Sequence, residues 1–141
     1  MENAETIAKI RAHKAALENI ISRIALIRKL SERVMLDTSE IVDRLVEIAG
    51  ISPEGAKMAE EKADALLKIK ERSEAVIKAV EEQKKAIERF ANEATANFEK
   101  WQKAMDDHLK RLEAELEAQI FETQEIRADI DRFQNRLAPK S

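Results

Sequence analysis

The chain has 141 residues, no cysteine, 4% aromatic and 38% charged residues, and a formal net charge of −3 at pH 7. Such richness in charge and in helix-forming residues is the profile of a coiled coil or helical bundle, at a length that suits one domain, residues 1–141. The lack of cysteine excludes disulfides and thiolate metal sites, and the scarcity of aromatics argues against a base-stacking or sugar-stacking surface.

Charge is spread evenly. Residues 1–50, 51–97 and 98–141 carry net charges of 0, −1 and −2, so no basic arm exists to attract nucleic acid or anionic lipid. Several acids precede a base by four residues, among them Glu5/Lys9, Glu40/Arg44, Asp64/Lys68, Glu74/Lys78, Glu81/Lys85, Glu99/Lys103, Asp106/Lys110 and Asp107/Arg111. Pairs at that spacing are neighbours on one helix and predict solvated helical faces. The N-terminus lacks the basic start and apolar core of a signal peptide, and no apolar run is long enough to span a bilayer. A cytoplasmic protein is the expectation.

The first helix is predicted over about residues 3–49. One heptad position reads Ile10, Leu17, Ile24, Ser31, Thr38, Leu45 and the other His13, Ile20, Ile27, Val34, Ile41, Ile48. Nine of these twelve are aliphatic, which defines a packing seam. Ile7, Ile21, Met35 and Val42 widen the seam on one flank and Leu30 on the other, a stripe broad enough for more than one neighbouring helix. Asp37-Thr38-Ser39-Glu40 groups three cap-type residues before an acid and predicts a kink or interruption.

A hairpin tip follows at Gly50, Ile51, Ser52 and Pro53. Gly50 suits a left-handed helix C-cap, Ser52 an N-cap, and Pro53 the first position of the next helix. So short a link predicts antiparallel neighbours.

The second helix is predicted over about residues 53–137, a stretch with Gly55 as its one glycine and no proline after Pro53. Its first seam runs Leu66, Ile69, Ser73, Val76, Val80, Gln83, Ile87 and Phe90. Around residues 94–105 the spacing slips by four, a stutter that marks a change of partner. A second seam then reads Met105, Leu109, Leu112, Leu116, Gln119, Thr123, Ile126, Ile130, Phe133 and Leu137. At about 1.5 Å per residue the first helix spans roughly 70 Å and an unbroken second helix roughly 125 Å. The second seam therefore needs other cover. The predicted fold is all-α, a long antiparallel hairpin whose extended second helix pairs between copies. The alternative is a three-helix antiparallel bundle with a bend near residues 92–97, opposed by the absence of glycine or proline there.

Candidate sites are weighed on the same pattern. His13 sits in a seam, where a polar register-setting role outweighs ligation, and His108 follows Asp106-Asp107 without the Glu-x-x-His spacing of di-iron bundles. No metal, cofactor or catalytic residue is expected, because no pocket-forming group gathers reactive side chains. Ile120 and Phe121 fall off the second seam beside Gln119 and Thr123 and form a candidate partner patch. The segment from Leu45 to Glu54 resembles the turn of a helix-turn-helix. Its second helix opens with Glu54 and soon adds Glu60 and Glu61, a poor surface for phosphates.

These readings give a non-enzymatic structural or adaptor coiled coil that mediates protein–protein interaction or assembly by self-association of the 105–137 seam. The partners would be further copies and an unnamed protein, with nucleic acid and membrane not expected. The alternatives are an amphipathic coat for a lipid or polymer granule, whose helices would need a basic excess that is absent here, and, behind it, a helix-turn-helix DNA binder.

Overall fold

The computed structural model describes residues 2–90 and 98–137. Three helices make up this part of the chain: α1, Glu2–Ala49; α2, Pro53–Phe90; and α3, Phe98–Leu137.

The seams explain why these segments are helical and how they meet. The buried residues of α1 are Ile20, Ile24, Ile27, Ser31, Val34, Thr38, Ile41, Leu45 and Ile48, spaced alternately four and three apart as knobs-into-holes packing requires. Those of α2 include Leu66, Ile69, Ser73, Val76, Val80 and Ile87. Ile21 and Ile24 line one cleft with Val80 and Ile87, some thirty residues from the turn, so α1 and α2 run side by side and antiparallel. That arrangement is an antiparallel helical hairpin, not the steep crossing of a helix-turn-helix.

The tip forms largely as its residues dictate. Ser52 caps α2, its Oγ accepting the Gly55 amide at 3.0 Å. Gly50 departs from expectation, since no described glycine has positive φ. The end of α1 instead tightens through i→i−3 bonds, with Gly50 N–H donating to Glu47 O at 3.2 Å and Ile51 N–H to Ile48 O at 3.1 Å, which satisfies terminal carbonyls without a left-handed residue. Gly55 is the glycine that geometry demands. A Cβ there would run into the carbonyl oxygen of Ile48 and lie 3.2 Å from its Cγ2.

Two further expectations are corrected. α1 is unbroken through Asp37–Glu40, because Thr38 turns its hydroxyl back onto the Met35 carbonyl at 2.7 Å and buries its methyl in the seam. The chain also does not continue as an extended second helix. It folds back, and the three-helix bundle is the arrangement adopted, with α3 antiparallel to α2 and parallel to α1. The proposed bend at residues 92–97, and the part of the stutter before Phe98, lie outside the described residues.

Folding back covers the second seam within the chain. Met105, Leu109, Leu116, Gln119, Thr123, Ile126, Ile130 and Phe133 are buried, and Leu112 packs half-buried against the same core; the side chain of Leu137 lies outside the described set. The lengths allow it, because α2 with 38 residues and α3 with 40 both fit along the 48 of α1. Closing a short link adds little entropy cost beyond that of the helices themselves. Association would cost an estimated 4–15 kcal/mol in lost translational and rotational freedom. The case for pairing copies through Met105 to Leu137 rested on that seam lacking cover, and the chain supplies the cover itself.

At the opposite end from the tip, His13 stacks on Phe98 with ring centroids 3.9 Å apart, and Trp101 lies 5.8 Å from Phe98. Phe98 is buried and Trp101 half-buried, so both fill the irregular layer. His13 closes the layer at the first residue of α3. Residues 3–12 of α1 extend past it and are exposed, Ile10 of the predicted seam included.

Candidate functional site

With its seams turned inward, the chain's chemistry lies on the flanks of the helices. Writing the core positions as a and d, the flanking g residues of α1 are Arg23, Leu30, Asp37 and Arg44, and the e residues of α3 are Asp106, Glu113, Ile120, Arg127 and Gln134. The two rows meet in parallel register. Arg23 reaches Asp106 and Glu113, each at 2.5 Å. Arg127 lies 3.7 Å from Asp37, and Arg44 contacts Asp131 and Gln134 at 2.6 Å. Between these polar rungs the register sets Leu30 opposite Ile120, and both pack on the core.

On the other side α2 holds α3 in the same way. Arg72 reaches Glu115 at 2.5 Å and Glu122 at 2.6 Å, and Lys62 reaches Asp129 at 2.7 Å. The Arg72 guanidinium holds the Glu115 carboxyl below its ordinary value against an opposing desolvation effect. Lys62 does the same for Asp129, and Arg23, with help from Lys110, for Asp106. These contacts were missed in the sequence. Of the eight pairs read there as i, i+4 neighbours, Asp64–Lys68 and Asp106–Lys110 close, at 3.2 and 3.1 Å, and the others do not among the described residues. The heptad spacing of Arg23, Leu30, Asp37 and Arg44 was the available signal.

A polar layer crosses the core at mid-height. Ser31, Ser73 and Gln119, one from each helix, have 0% exposure. Ser73 donates to Gln119 Oε1 at 2.5 Å, Gln119 Nε2 donates to Glu115 at 3.2 Å, and Thr123 donates to the Gln119 carbonyl at 2.7 Å. Ser31 Oγ has no hydrogen-bond partner among the described residues. Gln119 thus links α3 to α2, and Thr123 satisfies its hydroxyl within α3, which accounts for polar side chains in an apolar seam.

The candidate patch divides. Ile120 is half-buried in the α1/α3 flank. Phe121 stands on the outermost line of α3, 60% exposed, with Ala114 and Ala128 one heptad to either side.

A longer apolar feature lies where α3 is absent. The e positions of α1 are Ile21, Arg28, Met35 and Val42, and they face the e positions of α2, which are Lys84, Ile77, Lys70 and Ala63 in matching order. Ile21 is 51% exposed; Val42, Val46 and Leu67 are exposed along the same face, with Met35, Ile77 and Ala63 half-buried. Toward the open end the floor sinks into a cleft with about 290 Å³ of free volume between Ile21, Ile24, Arg28, Val80, Lys84 and Ile87. It is apolar at the bottom and ionic at the rim. Arg28 there lies 3.4 Å from Glu81.

Among the described residues no three of His, Cys, Asp and Glu gather to hold a metal ion, and no helix is long and apolar enough to cross a membrane. His13 is stacked on Phe98, and His108 is half-buried, its Nε2 enclosed and without a hydrogen-bond partner among the described residues. Compared with protein-family models, with curated proteins and with solved structures, the chain matches none.

Proposed function

We propose that the chain is a non-enzymatic structural or adaptor module that works by protein–protein contact through the open α1/α2 face of its bundle. The observation that carries this reading is the line Ile21, Met35 and Val42, at heptad positions interrupted by Arg28, on the flank of α1 that no described helix covers. An apolar row held rigid on a helix and partly open to water is a ready-made contact for another helix.

Photo-crosslinking in the cell of origin tests it. A photoreactive residue at Val46 or Leu67 should give discrete adducts, while the same residue at Gln124 or Arg132, on the outside of α3, should not. Absence of adducts from the α1/α2 face, or equal yields from both faces, overturns the reading.

A further inference from the structure

The cleft at the open end of the α1/α2 face is bounded on its tip side by an ionic bridge. Arg28 of α1 reaches across to Glu81 of α2 at 3.4 Å and is held from its own helix by Glu32 at 3.2 Å. A helix laid along the whole face would have to break this bridge, whereas a compact molecule fits beside it. The free volume of about 290 Å³ is about twice the roughly 150 Å³ that holds benzene in an apolar cavity, room for a chain of about eight carbons.

Ile21, Ile24, Val80 and Ile87 make the floor and walls, the last three buried. They give a ligand nothing to hydrogen-bond, so a polar group among them would be left unsatisfied. The body of an occupant must therefore be hydrocarbon, and its polar end must reach the rim.

The rim decides the sign of that end. It carries four exposed charged residues, Arg28, Glu81, Lys84 and Glu88. Glu81 is taken up by Arg28, and Glu88 also has a partner. Lys84 has no ion-pair partner among the described residues, which leaves its ammonium donors to a ligand. A carboxylate is the head group this rim accepts without giving up a pair it already has, and a cation would find both carboxylates engaged.

We propose that the cleft binds a medium-chain aliphatic carboxylate, its hydrocarbon body between Ile21, Ile24, Val80 and Ile87 and its head on Lys84. The site is separate from the Val46 and Leu67 region, so it stands whether or not that surface meets another protein.

Titration of the full chain with octanoate, followed by amide chemical shifts, tests this, with 1-octanol and octylammonium as neutral and cationic probes of the same length. Octanoate should saturate at one molecule per chain, shift amides of residues 21–28 and 80–88, and bind about threefold tighter than octanol and about tenfold tighter than octylammonium. Lys84→Glu, on an exposed position, should weaken octanoate about tenfold and leave octanol within about twofold, because it replaces an attraction by a repulsion at the head group alone. Ala25→Phe, also exposed and on the cleft wall, should weaken all three probes by filling the space. Circular dichroism confirms that each variant keeps its helix content. Absence of saturable binding at millimolar octanoate, a wild type that binds octanol or octylammonium as tightly, or an octanoate affinity indifferent to either substitution overturns the proposal. Shifts centred on Val46 and Leu67 in place of the cleft residues overturn it as well.

Discussion

Gly55→Ala should destabilise the bundle even though it replaces the poorest common helix former but proline with the best. Helix propensity alone favours alanine by up to about 1 kcal/mol, and less in the first turn of a helix. The opposing effect is steric. The new Cβ would meet the Ile48 carbonyl oxygen, with Ile48 Cγ2 at 3.2 Å and the Ile48 carbonyl carbon at 3.3 Å. Ile48 is fully buried and its carbonyl already accepts the Ile51 amide at 3.1 Å, so neither side chain nor backbone can withdraw freely. Overpacking of this kind costs about 1–3 kcal/mol, which leaves a net loss of about 1–2 kcal/mol and a fall in Tm of roughly 3–6 °C for a chain of this size. Gly50→Ala is the control, because its Cβ would lie an ordinary 3.5 Å from Glu47 O on a backbone without positive φ. It should be neutral or stabilising by up to about 1 kcal/mol. Thermal melts followed by circular dichroism decide it, and a Gly55→Ala chain as stable as the wild type, or less perturbed than Gly50→Ala, refutes the steric argument.

The two serines of the polar layer should respond with opposite sign to the same substitution. Ser31→Ala removes an unpartnered buried hydroxyl and should be neutral or stabilising, whereas Ser73→Ala strands the side-chain amide oxygen of Gln119 and should cost about 1–3 kcal/mol in urea unfolding. Acid should loosen α3. Glu115, Asp129 and Asp106 have folded values below the ordinary 4.5 and 3.8, so the unfolded chain takes up their protons first. The stability they contribute is complete above about pH 5 and is lost as pH falls from about 4.5 through the folded values. A urea midpoint that is flat or rising over that window would contradict this. Phe121→Glu should change stability by less than about 0.5 kcal/mol, since the ring is 60% exposed on the outer line of α3; a larger loss would mean the ring contributes to packing.

Much of the fold is legible in the sequence because heptad spacing and cap chemistry are local. The four-three alternation from Ile20 to Ile48 predicts the buried face of α1 residue by residue, and Ser52-Pro53 predicts the start of α2. Gly50 misled because its type admits a left-handed cap without requiring one, and hydrogen bonds to Glu47 and Ile48 serve the same orphan carbonyls. The choice between folding back and pairing of copies could not be read, since the seam from Met105 onward makes the same knobs whether the holes belong to its own chain or to another. The ionic flanks were misread for a related reason. A spacing of four residues brings an acid beside a base on one helix, and the same positions, repeated at seven, line the edge of a neighbouring one. Arg23, Arg44 and Arg72 reach across because the bundle sets two carboxylates, or a carboxylate and an amide, within the span of one guanidinium.

The side on which α3 settles follows from this. Apolar burial alone would place it against the flank of α1 that carries Ile21, Met35 and Val42, where more surface could leave water. It lies instead against Arg23, Leu30, Asp37 and Arg44, where one rung is apolar and the others are polar or ionic. A half-exposed ion pair contributes at most about 1 kcal/mol, so the pairs do not outweigh burial one by one. Together they act as a register. Seated on the other flank of α1, α3 would turn its opposite edge, Glu115, Glu122 and Asp129, against aliphatic side chains and forgo the Arg72 and Lys62 contacts these carboxylates now have, a desolvation loss at each heptad. Selectivity between the two grooves therefore comes from charge, and the more apolar flank of α1 is the one left open.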